Sequence, residues 1–130
     1  MNIVQPPNWP RPRGYANGVV AQGRAVFVAG QIGWNEREEM QSGFVAQFRQ
    51  ALDNVVAVVR AAGGRPEDIV RLTVYVTDLD AYRGGLREIG SAWRSILGKH
   101  YPAMALVGVA GLVHPEALVE ISGTAVLEEP

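Results

Sequence analysis

Two short apolar runs in the last quarter of the chain constrain its fold more than any other stretch. Residues 101–127 read YPAMALVGVAGLVHPEALVEISGTAVL. Within them, Met104–Leu112 and Ala117–Leu127 are rich in Val, Leu and Ile and flank a turn at His114-Pro115-Glu116. Runs this short, bounded by Pro and Gly, make strands buried on at least one face. Glu120 stands inside the second run, between Val119 and Ile121. A carboxylate in a core strand is costly unless it is paired or faces a wet cleft. The residues alone leave two readings open. Glu120 and Ser122 can alternate outward on a polar strand face, or Glu120 can be a functional carboxylate in a cleft.

The rest of the chain supplies partners for these strands. Pro6, Pro7, Pro10 and Pro12 remove backbone donors and fix φ. Residues 1–14 therefore read as an extended Pro-rich N-terminal arm, and residues 15–130 as a single domain. A first strand is predicted over Tyr15–Gln22, paired as a hairpin with Ala25–Ala29 across a turn at Gln22-Gly23. Gly30 and Gly33 then bracket Gln31-Ile32, with Trp34 following. This segment is either a strand-ending turn or a place where backbone approaches a ligand closely. From Gly43 to Ala62, Phe44, Phe48, Ala51, Leu52, Val55 and Val59 share one face at helical spacing, with Ser42 as N-cap and Gly63 as stop. Ile69–Thr77 alternates as a strand, with Val70, Leu72, Val74 and Val76 on one face and Arg71, Thr73 and Tyr75 on the other. A second helix is predicted from Asp80 to Leu97 on the stripe Tyr82, Leu86, Ile89, Trp93 and Ile96. Gly84, Gly85 and Gly90 each cost such a helix about 1 kcal/mol against alanine, which predicts close packing on the sheet or a neighbouring subunit.

The order is α+β, β-β-α-β-α-β-β, a sheet with two helices on one face. The other face carries apolar or small residues, and no chain remains to cover it. A second copy of the chain is the economical cover, so a homo-oligomer is expected. A net charge of -1 without a Lys/Arg cluster gives no electrostatic footprint for nucleic acid or an anionic membrane. With 0 cysteines, disulfides, thiol catalysis and thiolate metal sites are excluded. No apolar run approaches the ~18 residues of a membrane span, and MNIVQPPNWPRPRG lacks the apolar core of a signal peptide. A cytoplasmic location is the expectation.

The usual catalytic signatures, GxSxG, the P-loop and HExxH, are missing. The 2 histidines, His100 and His114, are too scattered for a metal site. Glu120 remains, with Tyr15, Gly30, Gln31, Ile32, Gly33, Trp34 and Met104 as residues that can share a pocket with it.

The segments FVAGQIG (27–33), QALDNVVAVVRAAGG (50–64), EDIVRLTVYVTDLDAY (67–82), YPAMALVGVAGL (101–112) and ALVEI (117–121) carry a resemblance. Across them, from Tyr15 onward, the chain resembles the Rid (reactive intermediate deaminase) family, also called YjgF-like or L-PSP endoribonuclease-like. The resemblance implies a chorismate-mutase-like fold and a homotrimer with sheets inside, helices outside and a cleft between each pair of subunits. It implies hydrolysis of reactive enamines and imines, such as 2-aminoacrylate, to a 2-keto acid and ammonia, with no metal or cofactor. In the family pattern a glutamate of the last strand activates water, and Glu120 matches it. An arginine after Pro-Ala pins the substrate carboxylate, and here that position is Met104. The polar residue that follows is replaced by Ala105, a second strand carboxylate by Ser122, and the turn at Val113–Pro115 is about one residue longer. Methionine offers no donor and no charge. Losing a charge-assisted hydrogen bond costs ~1.5–3 kcal/mol, so small 2-imino acids are disfavoured. Met104, Trp34 and Tyr15 suit an apolar or aromatic imine instead. The competing reading is a non-catalytic small-molecule-binding trimer that uses the same cleft. A ribonuclease, suggested by the older family name, lacks a basic stripe and a histidine pair.

Overall fold

A computed structural model describes residues 1–128 of the chain; the last two positions of the domain read over 15–130 lie outside the described residues. Arg24–Ile32 (β3), Ile69–Val76 (β4), Ala103–Gly108 (β5) and Val119–Leu127 (β6) form a four-stranded sheet in the order β3-β6-β4-β5. β6 runs antiparallel to both β3 and β4, whereas β5 lies parallel to β4. A parallel pair needs a long crossover. Residues 79–97 supply it as two helices, Leu79–Gly84 (α2) and Leu86–Leu97 (α3).

The long helix Phe44–Ala61 (α1) packs across β3 and β6, with α3 beside it. Phe48, Leu52, Val55 and Val59 of α1 and Ile89, Trp93 and Leu97 of α3 meet Leu72, Val74, Val76, Val119 and Ile121 of the sheet. Several of these are fully buried, which agrees with the alternation predicted for residues 69–77. The opposite sheet face has no cover among the described residues. On it lie Arg71, Thr73 and Tyr75 of β4, paired with Thr124, Ser122 and Glu120 of β6. Phe27 of β3, the register partner of Thr124, is 81% exposed there. The mixed α+β fold with its helices on one face is therefore as predicted.

Three local expectations change. The predicted hairpin of Tyr15–Gln22 with Ala25–Ala29 does not form. Gly18–Val20 (β2) instead pairs antiparallel with Asn2–Val4 (β1), so the proline-bearing arm doubles back on itself. The prolines all follow Val4, which leaves the first residues free to donate. Gly23, at φ 148, turns the chain so tightly against the Leu127 carbonyl that no Cβ fits, and β3 is delivered to β6 rather than to β2. The second predicted helix breaks at Gly85, whose φ of -111 and ψ of 15 are not helical. Asp78 caps its first half by accepting from the Asp80 and Ala81 amides at 2.9 and 3.3 Å. Within the chain the sheet does not pack on Gly84, which faces open space, or on Gly90, where the Arg94 guanidinium is the neighbour. Finally, Gly43 rather than Ser42 stands at the N-cap of α1, without a side-chain cap.

Candidate functional site

Glu120 lies on the uncovered sheet face, opposite Ile32 of β3 and Tyr75 of β4. Its side chain is half-buried and is in no ion pair among the described residues; Arg71, on the same face, does not reach it. The carboxylate leans across the edge strand. A Cβ placed on Gly30 would stand 2.5 Å from Glu120 Oε2 and 2.7 Å from its Cδ. Position 30 can therefore hold only glycine while the carboxylate keeps this position. The β3–β6 register shifts between Val28 and Gln31, a bulge with Gly30 inside it. Bulges at a sheet edge re-aim side chains and free backbone groups from the ladder. The Gln31 amide folds back over the bulge and donates to the Ala29 carbonyl at 3.0 Å.

Helix α1 holds the next residues. A Cβ on Gly33 would come within 2.5 Å of Gln47 Cα, so strand end and helix touch backbone to backbone. Asn54 donates to the Ile32 and Trp34 carbonyls at 3.1 and 2.8 Å. Gln47, 3% exposed, donates to the Gln41 and Glu116 carbonyls, each at 3.1 Å, and accepts from the Leu118 amide at 2.8 Å. It thereby ties the end of β3 to the turn that launches β6. Trp34 stands edge-on to His114 of that turn, with ring centroids 5.5 Å apart. Glu120, Gly30, Gln31, Ile32, Gly33 and Trp34 thus form one structural unit at the β3 edge.

Met104, Ala105 and Tyr15 do not join it. Met104 is the register partner of Leu72 and points to the helix-covered side, where it packs against the core. Ala105, opposite Thr73, faces the uncovered side, but on β5, the far strand of the sheet. Tyr15 borders the same far edge, because Ala16 bridges Ala103 and donates to the Pro102 carbonyl at 3.0 Å. Beside Met104 a cavity of about 300 Å³ opens between β5 and α3, walled by Trp93, Tyr101 and Leu106 and rimmed by Arg13 and Arg94. Trp93 stacks on Tyr101, with centroids 6.0 Å apart and planes 4° from parallel, and its indole donates to the His100 carbonyl. One protomer therefore places the predicted site residues in two groups, on opposite edges of one sheet.

Gln47, Asn54 and Arg94 are residues beside these groups that the sequence reading missed. The two amides interrupt the apolar face of α1, a signal for polar groups that must be satisfied internally. Among the described residues no group of three or more His, Asp or Glu side chains is placed to hold a metal ion. No helix among them is long and apolar enough to cross a membrane.

Comparison with known proteins gives a consistent result. A sequence profile described as Endoribonuclease L-PSP matches residues 8–127. A 2-iminobutanoate/2-iminopropanoate deaminase of Dermatophagoides farinae is 32% identical over 128 residues, 97% of this chain and 96% of that one. The protein of the same name from Escherichia coli strain K12 is 35% identical over 108 residues, 80% of each chain. Among solved structures, YyfB of Yersinia pestis, a protein of unknown function in the conserved Rid family, is similar with a TM-score of 0.85 and 33% identity. That match covers 97% of this chain and 98% of the other.

Proposed function

This chain belongs to the L-PSP endoribonuclease family, which includes proteins named Rid, and on that premise we propose that it hydrolyses a reactive imine or enamine without a cofactor. The substrate is larger and less polar than 2-iminopropanoate. The observation that carries the reading is the Glu120 carboxylate, without an ion pair and seated over the Gly30 bulge. There it can take a proton from water as the water oxygen attacks the imine carbon. That proton passes to the imine nitrogen to give the carbinolamine; as its C–N bond then breaks, the hydroxyl proton moves to nitrogen, ammonia leaves and a carbonyl remains. General-base assistance of this kind is worth ~10²–10⁴-fold in rate.

The site is completed between copies. Glu120 serves from the β3 edge and Met104 from the β5 edge of a neighbour, with Tyr15 beside it. A contact between unlike edges is heterologous, and such contacts make a ring where the rotation between copies closes. Three copies, the number the family resemblance implies, bury the uncovered sheet faces inside. The thioether of Met104 leaves the pocket without a cation at its own position and favours apolar substrate bodies.

The test is an imine-hydrolysis assay coupled to an amino-acid oxidase, fed with alanine, leucine, methionine and phenylalanine. Wild type should favour the imines of phenylalanine, leucine and methionine over that of alanine. Glu120→Gln should lose about 10²-fold or more, and Met104→Arg should move the preference toward the alanine imine. If wild type and Met104→Arg are both inactive as folded oligomers, catalysis is refuted. The non-catalytic binding trimer then takes its place.

A further inference from the structure

Gly90 sits inside α3, where glycine weakens a helix, and its space is taken by one group. A Cβ there would stand 3.2 Å from Arg94 Nη1, with Arg94 Cζ at 4.0 Å. The Arg94 side chain thus lies back along the helix over Gly90, one turn before it. Both residues border the cavity beside Met104. Arg13, brought in by the N-terminal arm, borders it as well. The lining includes no acidic side chain, and neither guanidinium is in an ion pair or hydrogen bond among the described residues. Two guanidinium groups therefore stand, without a protein anion, at the rim of a pocket whose walls are aromatic and aliphatic. Guanidinium binds carboxylate in a bidentate fork, and the bond strengthens where water is scarce.

Resting on the deaminase reading, we propose that Arg94, seated over Gly90, is the anion-binding group of this pocket. The substrate is then an imine that carries both a carboxylate and an aromatic or branched apolar body. Its carboxylate is held at Arg94 rather than at position 104, and its body lies against Met104, Trp93 and Tyr101. Gly90 is a positioning residue: a Cβ there would stand 3.2 Å from Arg94 Nη1, so alanine nudges the guanidinium by a few tenths of an ångström and a longer side chain displaces it. A cavity of about 300 Å³ is at the small end of ligand sites, sufficient for one ring or branched chain with its carboxylate.

Binding separates this inference from catalysis. The intact oligomer is titrated calorimetrically with 3-phenylpropanoate and with its neutral isostere 3-phenylpropanamide, neither of which can be hydrolysed as an imine. Wild type should bind the carboxylate at least tenfold tighter than the amide. Arg94→Gln should abolish that preference, leaving amide binding unchanged. Gly90→Leu keeps the charge but fills the space the guanidinium occupies, and should reduce the preference several-fold. Both substituted residues lie at the surface side of α3, so the fold, checked by melting temperature, should persist. The inference is overturned if wild type shows no carboxylate preference, if it binds neither compound, or if Arg94→Gln retains the preference. Deaminase activity without a carboxylate preference refutes the Arg94 assignment alone. A carboxylate preference without activity on any imine refutes the deaminase reading alone.

Discussion

Gly30→Ala tests the placement of Glu120 more sharply than removal of the carboxylate does. The added methyl would lie 2.5, 2.7 and 2.9 Å from Glu120 Oε2, Cδ and Cγ. Comfortable nonbonded separations begin near ~3.5 Å, so the carboxylate must retreat by about 1 Å. The atoms in the way are the far end of a flexible side chain, and a rotamer change costs about 1 kcal/mol. Gly30 is not at positive φ, so alanine also narrows the unfolded ensemble, a gain of ~0.4–1 kcal/mol. The two terms nearly cancel, and the melting temperature should move by less than about 5 °C. Activity is another matter. Displacement of a catalytic group by about 1 Å costs on the order of 10²-fold. The expected variant is a stable oligomer with roughly 1% of wild-type activity in the oxidase-coupled assay, on the imine that wild type hydrolyses best. A folded Gly30→Ala oligomer that keeps half its activity or more refutes the reasoning, because Glu120 then does not act from its position over Gly30.

The other predictions concern the supports of the site. Gly33→Ala drives its methyl to 2.5 Å from a helix backbone atom, Gln47 Cα. Strand and helix must part, so stability should fall by ~1–3 kcal/mol in urea unfolding; an unchanged midpoint counts against the backbone contact. Gln47→Leu leaves the Leu118 amide and two carbonyls without their partner, and should cost about 3 kcal/mol, read as a lower thermal midpoint. Phe27→Asp places a charge on the uncovered sheet face, where Phe27 is 81% exposed in one chain. Sedimentation should show smaller species with native helix content, and an intact oligomer would mean that another surface mediates assembly.

Local periodicity made most of the fold legible. The apolar stripe of residues 44–59 located α1 to within a residue or two of Phe44–Ala61, and the alternation over residues 69–77 identified the buried face of β4. Strand pairing was less legible, because it depends on contacts distant in sequence. Nothing in Tyr15–Gln22 announces that Asn2–Val4 is its partner. The position of the site residues within one chain was hidden for the same reason. Met104 and Glu120 both sit in apolar runs on either side of one turn, yet β4 lies between β5 and β6. Side-chain direction within each strand follows from that pairing, and it sends Met104 to the helix side and Glu120 to the uncovered side. Gln47 and Asn54 were visible as amides on an apolar helix face, but the carbonyls they satisfy belong to loops whose positions no helical pattern encodes.

The separation of the two groups also bears on how such a chain can change specificity. Glu120 is seated over the Gly30 bulge on a strand paired on both sides, so its placement does not depend on the far edge of its own sheet. The β5 edge is assembled from different segments: the arm brings Arg13, α3 brings Gly90 and Arg94, and β5 brings Met104. Substitution in any of them alters what the pocket recognises without touching the β3 edge. Replacing a cation at position 104 with methionine is then a local change in the recognition half. An arginine on the adjoining helix can compensate for it, provided that a glycine one turn earlier leaves room for its head group. The same division explains why Gly30→Ala and Arg94→Gln should separate cleanly. The first should lower turnover with ligand preference intact, and the second should alter ligand preference through a residue that no strand of the sheet contains.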